Sequence, residues 1–231
     1  MLWLFLFLLI LFCISFYYSV QILQWLVSYL SATYSVQLAV LSPMEAVLNI
    51  MQLALLLMLI VCVPLILLAL LNYIRPALYE KERQFLAYIP VSLVLGLMGS
   101  AFGWYMATQI FLPYFSNFSK MLNVQNLWSL NYLAGFIITN LFIFFLVFQL
   151  PIIVVVLHRL GILKTQNMTF VRKLVVVISL VVGAIVTPTL DIATQLIVAV
   201  PFYLLFELSI QYCRLKEKLA VKKPRQKLRR R

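Results

Sequence analysis

The first charged side chain in this chain is Glu45, so residues 1–44 form one uncharged stretch. Positions 2–20 are almost wholly apolar, and a helix needs about 20 such residues to cross the hydrocarbon core of a bilayer. A run of this kind cannot be buried inside a small water-soluble domain, and it fixes membrane insertion as the first expectation. The rest of the stretch is different. It carries Gln21, Gln24, Ser28, Ser31, Thr33, Ser35, Gln37 and Ser42, with Trp25, Tyr29 and Tyr34 between them. Trp and Tyr favour the headgroup level, so an interfacial loop or amphipathic helix is expected after the first span.

The charges that follow cut the remaining sequence into further apolar runs. Spans are expected at 45–72, 85–113, 130–157, 174–188 and 192–212, the fifth and sixth being short. Pro64 lies inside the second and is expected to kink it. Gly96, Gly99 and Gly103 fall in the third, where small residues let helices approach closely. Composition agrees: of 231 residues 65% are hydrophobic and only 10% charged, and the mean hydropathy is +1.07. Soluble domains carry about a quarter charged residues. A soluble enzyme, a disordered protein and a nucleic-acid-binding domain are therefore excluded. The expected fold class is all-α: a polytopic membrane protein with six transmembrane helices in a single domain over 1–213, followed by a basic tail, 214–231, without fixed structure.

Six spans return both termini to one side, and the charge distribution tests that count. Arg75, Lys81, Arg83, Arg159, Lys164, Arg172 and Lys173 lie in the loops of that side, and ten more basic residues lie in the tail. Lys120 alone lies opposite. Positively charged loops stay on the cytoplasmic side, which becomes the matrix or stroma in an organelle. The tail is read first as a segment facing lipid headgroups. The opening 2–14 is read as part of a retained span rather than a signal peptide, because no basic residue precedes it and no small-residue cleavage site clearly follows.

Polar side chains inside spans are costly and need a partner or a purpose. Glu45, Asn49 and Gln52 are spaced i, i+4, i+7 and so share a stripe at the outer end of span two. Asp191 and Gln195 have the same relation at the start of span six. In span four Asn131 and Gln149 are 18 residues apart and share a face, with Asn140 opposite. Gln149 precedes Pro151, whose missing N–H leaves a carbonyl free. Glu207 lies deep in span six, either neutral or paired with a cation of the tail. No HExxH pair, GxSxG elbow or Gly-rich phosphate loop occurs, and Cys13, Cys62 and Cys213 are too widely spaced for a disulfide framework. No catalytic group, metal site or cofactor is expected.

Four local motifs resemble the TatC family, the multispanning core subunit of the twin-arginine, Sec-independent protein translocase. Leu41-Ser42-Pro43-Met44-Glu45 resembles its outer motif before span two. Arg75-Pro76-Ala77-Leu78-Tyr79 through Glu82-Arg83 resembles its first cytoplasmic loop. Phe148-Gln149-Leu150-Pro151 with Leu160-Gly161-Ile162 is similar to its Phe-Glu-x-Pro motif, here with Gln149 in place of the glutamate. Thr187-Pro188, Asp191, Gln195, Pro201 and Phe206-Glu207 resemble its last outer turn and sixth span. The family's short cytoplasmic stretch before span one is not found ahead of Leu2.

The resemblance implies a non-enzymatic receptor for the twin-arginine signal peptides of folded precursors, driven by the proton-motive force. It implies signal-peptide contacts at Glu82, Tyr73, Tyr79 and Arg83. Single-span TatA- or TatB-like partners would meet Gln149, Gln195, Asp191 and Glu45. Structural roles fall to Pro43, Pro76, Pro151, Pro188 and Glu207. Membrane lipid and a homo- or hetero-oligomeric state are expected, and nucleic acid is not. The membrane would be a mitochondrial inner membrane, a thylakoid or a prokaryotic cytoplasmic membrane. Two other classes compete on the residues alone: a small secondary transporter using the intramembrane polar groups, and a membrane assembly factor using the basic tail.

Overall fold

The computed structural model describes residues 2–34, 37–74, 88–121, 127–159, 161, 163, 168–186 and 192–228. They form two compact units, Met1–Leu146 and Val147–Arg231. The chain is an all-α, multi-pass membrane protein. Five described helical stretches are long and apolar enough to cross a bilayer: Leu6–Tyr34, Pro43–Ile66, Pro90–Asn117, Leu130–His158 and Ile192–Lys218. A further helix, Met168–Val186, is shorter and carries Arg172 and Lys173 in its opening turns.

In the first unit, α1 (Leu2–Tyr34) is one helix of 33 residues, and the loop allowed for after residue 20 is absent. The sequence gives the reason. Ser15, Ser19, Leu23, Leu26 and Leu30 are buried at helical spacing, while Gln21, Gln24, Ser28 and Ser31 repeat every three or four residues on an exposed stripe. The serine hydroxyls donate back into the helix, Ser28 to Gln24 O at 2.9 Å and Ser31 to Ser28 O at 3.0 Å.

The next helix, α2 (Pro43–Ile74), runs through Pro64 without interruption. Then α3 (Tyr88–Tyr105) widens into a π-helical segment, Met106–Phe111, and resumes as α4 (Leu112–Met121). A wider turn changes which carbonyls are satisfied. Leu112 N donates to Ala107 O, and the Tyr34 hydroxyl donates to Thr108 O at 2.5 Å, tying the end of α1 to this segment. Trp25, Tyr29 and Trp104 cluster nearby with ring centroids 5.4–5.6 Å apart.

Two three-residue strands, β1 (Gln37–Ala39) and β2 (Leu127–Ser129), pair in parallel with Leu38 opposite Trp128. No periodicity announces strands this short, and each exists only because the fold supplies the other. The unit closes with α5 (Leu130–Val147), whose Leu133, Ala134, Ile137 and Ile138 pack with Leu26, Leu30, Leu53 and Leu56. Where α3 meets α5 the fit leaves no room for a side chain at Gly103: a methyl there would lie 2.8 Å from Asn140 O and 3.2 Å from Leu141 Cα.

The second unit holds α6 (Leu150–Arg159), α7 (Met168–Val186) and α8 (Ile192–Leu228). The expected fourth span is broken at Phe148-Gln149. Pro151 cannot donate to the carbonyl of Val147 and its ring crowds that group, so α5 ends at Val147 and α6 restarts on the Gln149 carbonyl, which accepts from Ile152 N and Ile153 N at 3.1 Å each. The 18-residue spacing of Asn131 and Gln149 is therefore not that of one continuous helix. At the far end of α6, Gly161 takes φ 74° and its N–H caps the His158 carbonyl at 3.0 Å, a left-handed turn that glycine adopts freely.

The sixth span is longer than expected. It continues through 213 as helix to Leu228, so the tail, expected to lack structure, is helical up to that residue. Leu, Lys, Glu, Gln and Arg are strong helix formers, and an existing helix extends without a new nucleation step.

Candidate functional site

The cytoplasmic loop expected to carry signal recognition lies outside the described residues. That applies to Pro76, Tyr79, Glu82 and Arg83, and equally to Pro188 and Asp191 of the last outer turn. Tyr73 lies in the last turn of α2, its side chain outside the described set. Glu45 is described in the first unit, and Gln149, Gln195 and Glu207 in the second.

Glu45 opens α2, where Ser42 and Pro43 start the helix and Glu45 N donates to Ser42 O at 3.0 Å. Its carboxylate accepts from Leu41 N at 3.3 Å and from the Ser129 hydroxyl at 3.1 Å. Ser129 Oγ in turn accepts from Asn131 N at 3.2 Å. Glu45 thus joins the segment after α1 to the start of α5, beside the β1–β2 pair. A carboxylate at a helix N-terminus is also favoured by the helix dipole.

The second unit is a helical hairpin with polar groups at matched heights. Gln195 donates from Nε2 to Leu180 O at 2.6 Å. Gly183 makes that approach possible, since a methyl on it would lie 2.7 Å from Gln195 O. Glu207 pairs with Arg172 of α7 rather than with the tail: Arg172 Nε donates to Oε2 at 2.9 Å and Nη2 to Oε1 at 2.5 Å. A planar guanidinium meeting both carboxylate oxygens is the strong form of this interaction. Further along, His158 of α6 meets Glu217 of α8 at 2.9 Å. Gln149, before α6, is buried at 3% exposure.

Residue-by-residue reading of the sequence misses Arg172, Gly183 and Ser129 as partners. A usable signal existed for the hairpin. The pairs 172/207, 180/195 and 183/195 all have midpoints between 187 and 190, as residues level with each other on two antiparallel helices must. Gln195 and Glu207 are about 18 Å apart along α8 at 1.5 Å per residue, so one serves the outer part of the hairpin and the other the inner part.

Among the described residues no group of three or more His, Cys, Asp or Glu side chains is placed to hold a metal ion. The polar groups sit instead on helix–helix contacts, an arrangement suited to positioning helices against one another.

Comparison with known proteins matches residues 1–201 to the family described as Sec-independent protein translocase protein (TatC). The chain is 35% identical over 161 residues to the translocase protein TatCy of Bacillus subtilis, covering 69% of this chain and 63% of that protein, less than two thirds of its length. It is 30% identical over 203 residues to TatC of Aquifex aeolicus, covering 85% and 82%. Its fold is similar to a crystal structure of the twin arginine translocase receptor TatC, with a TM-score of 0.77, 29% identity and coverage of 90% of this chain and 92% of that one.

Proposed function

The chain belongs to the TatC family, and from that premise we propose that it is the core receptor subunit of a twin-arginine translocase. The family is a transport component rather than an enzyme. In this reading the cytoplasmic loops take the twin-arginine signal peptides of folded precursors, and membrane helices of single-span TatA- or TatB-like subunits dock against the second unit. The proton-motive force drives transport. One observation carries the reading: the likeness to a solved twin arginine translocase receptor extends over nine tenths of the chain. Family membership weighs against both the secondary transporter and the assembly factor.

Glu82 is the proposed contact for the signal's arginines. A carboxylate at the inner membrane surface takes a guanidinium through two parallel hydrogen bonds, which a lone point charge does not. Glu82→Ala should reduce site-specific crosslinking of a twin-arginine precursor about tenfold, the loss of roughly 1.4 kcal/mol of binding, and Glu82→Lys should reduce it further. Membrane insertion should be unaffected. Undiminished crosslinking in both variants would remove Glu82 from the docking site.

Gln195 is the proposed polar contact for a partner helix. Its Nε2 already donates to Leu180 O, so Gln195→Leu perturbs the hairpin as well. Co-purification of a single-span partner should fall several-fold in Gln195→Leu, while the unfolding midpoint changes by only a few degrees, since one interhelical hydrogen bond is worth about 0.6–1 kcal/mol. Equal recovery of the partner with variant and parent would count against the contact.

A further inference from the structure

Pro113 is the second residue of α4, inside a helical stretch that continues from the third span. Proline has no N–H, and in an unbroken α-helix its ring would crowd the carbonyl four residues back, that of Gln109. The chain widens just before it. Met106–Phe111 is a π-helix, in which N–H groups reach the carbonyl five residues back, and Leu112 N accordingly donates to Ala107 O. This strands one carbonyl. Thr108 O could take the N–H of Leu112, which is already used, or that of residue 113, which is proline and has none. Thr108 is fully buried, and its own hydroxyl donates to Trp104 O at 2.8 Å. A buried carbonyl in this position has to find its donor elsewhere in the fold.

That donor is the Tyr34 hydroxyl, 2.5 Å from Thr108 O and 74 residues away in sequence. The place of this contact in the chain gives it leverage. Tyr34 is the last residue of α1, and β1 follows it; α4 follows the π turn, and β2 comes after α4. The two segments that leave the contact therefore meet again in the β1–β2 pair, and Ser129 at the end of β2 donates to Glu45. α4 rests on α5 through Phe115, whose ring centroid is 6.0 Å from that of Phe136.

We propose that Tyr34 is a latch: its hydroxyl supplies the donor that Pro113 withholds, and so holds the π turn that sets the direction in which α4 leaves the third span. Without the hydroxyl, Thr108 O is satisfied only by taking Leu112 N back from Ala107 O, a return to α-helical bonding. Each residue of an α-helix turns the chain by about 100°, so absorbing the extra residue of a π turn re-aims everything beyond it. Pro113 opposes that return through the Gln109 carbonyl. Neither arrangement is then fully bonded, and α4 samples more than one direction.

The test uses the full chain. In detergent, Tyr34→Phe, which removes only the hydroxyl, should lower the unfolding midpoint by about 3–6 °C with Pro113 in place. In a Pro113→Ala background residue 113 regains an N–H for Thr108 O, and the same substitution should cost at most about 1 °C. A second measurement reads the direction of α4. In phospholipid nanodiscs, with Cys13, Cys62 and Cys213 replaced by alanine, spin labels are placed at the exposed positions Met121→Cys and Val47→Cys. Electron–electron resonance should give one narrow distance with Tyr34 and a broadened or two-peaked distribution in Tyr34→Phe. Equal midpoint losses in the two backgrounds overturn the proposal, since a hydroxyl valued for packing alone does not depend on residue 113. An unaltered distance distribution in Tyr34→Phe overturns it as well, because α4 then keeps its direction without the latch.

Discussion

Glu207→Leu should lower the unfolding midpoint of the purified protein in detergent by about 4–8 °C, the equivalent of about 2 kcal/mol in a chain of this size. The loss comes from what remains. Arg172 would be left without its counter-charge, since its guanidinium is held at the hairpin contact by both oxygens of Glu207. Fully buried pairs lose about 3–5 kcal/mol when one partner goes. The smaller figure applies here because the side chains are 30% and 22% exposed, so Arg172 can extend toward the inner surface. The double variant Arg172→Leu/Glu207→Leu separates charge from packing. Removing both charges leaves nothing unpaired, and most of the midpoint should return. A double variant as unstable as Glu207→Leu would mean that the pair acts through shape alone.

Gly103→Leu should be the most damaging single change in the first unit. Two effects oppose each other at this position. A larger residue gains about 1 kcal/mol of helix propensity over glycine, which by itself would stabilise α3. Against that, even a methyl would stand 2.8 Å from the Asn140 carbonyl oxygen and 3.1 Å from its carbon. These are backbone atoms of α5 and cannot rotate away, so α3 and α5 must move apart along a contact that includes the edge-on pair Phe102–Phe144, 5.1 Å between centroids. Overpacking of this kind costs about 1–3 kcal/mol. Gly103→Ala should destabilise slightly after the propensity gain. Gly103→Leu should lower the midpoint by about 4–8 °C, near the upper end of that cost. Gly161→Ala is the useful contrast: nothing lies within 4 Å of its Cβ position, and only its φ of 74° resists substitution. It should cost about 1 kcal/mol and leave the first unit unaffected. If Gly103→Leu proved no worse than Gly161→Ala, close approach would not be what glycine provides at 103.

The fold class was legible because membrane insertion depends on local, nearly additive quantities. Apolar length, the spacing of charged turns and the excess of Lys and Arg on one side are properties of short windows, and bilayer thickness converts them into helices. The break before α6 was half legible. Pro151 marked the lost hydrogen bond, whereas the end of α5 at Val147 emerged only with the carbonyl four residues earlier. The outer motif was legible as a helix start at Pro43 and Glu45, but Ser129 as a partner of that carboxylate was not, since 84 residues separate them.

Sequence alone determined that this is a polytopic helical membrane protein and which side chains are costly to bury. It left Glu207 open between a neutral acid and a partner in the tail, and left Asn49 as one member of a stripe. Only the tertiary structure assigned Arg172 to Glu207, Glu217 to His158, and Asn49 to a close contact with α5 at Gly135. Burial cost is fixed by a residue's own chemistry, whereas its compensation depends on which helix packs at the same height. That is decided by helix pairing, which the hydrophobicity of a single span does not encode.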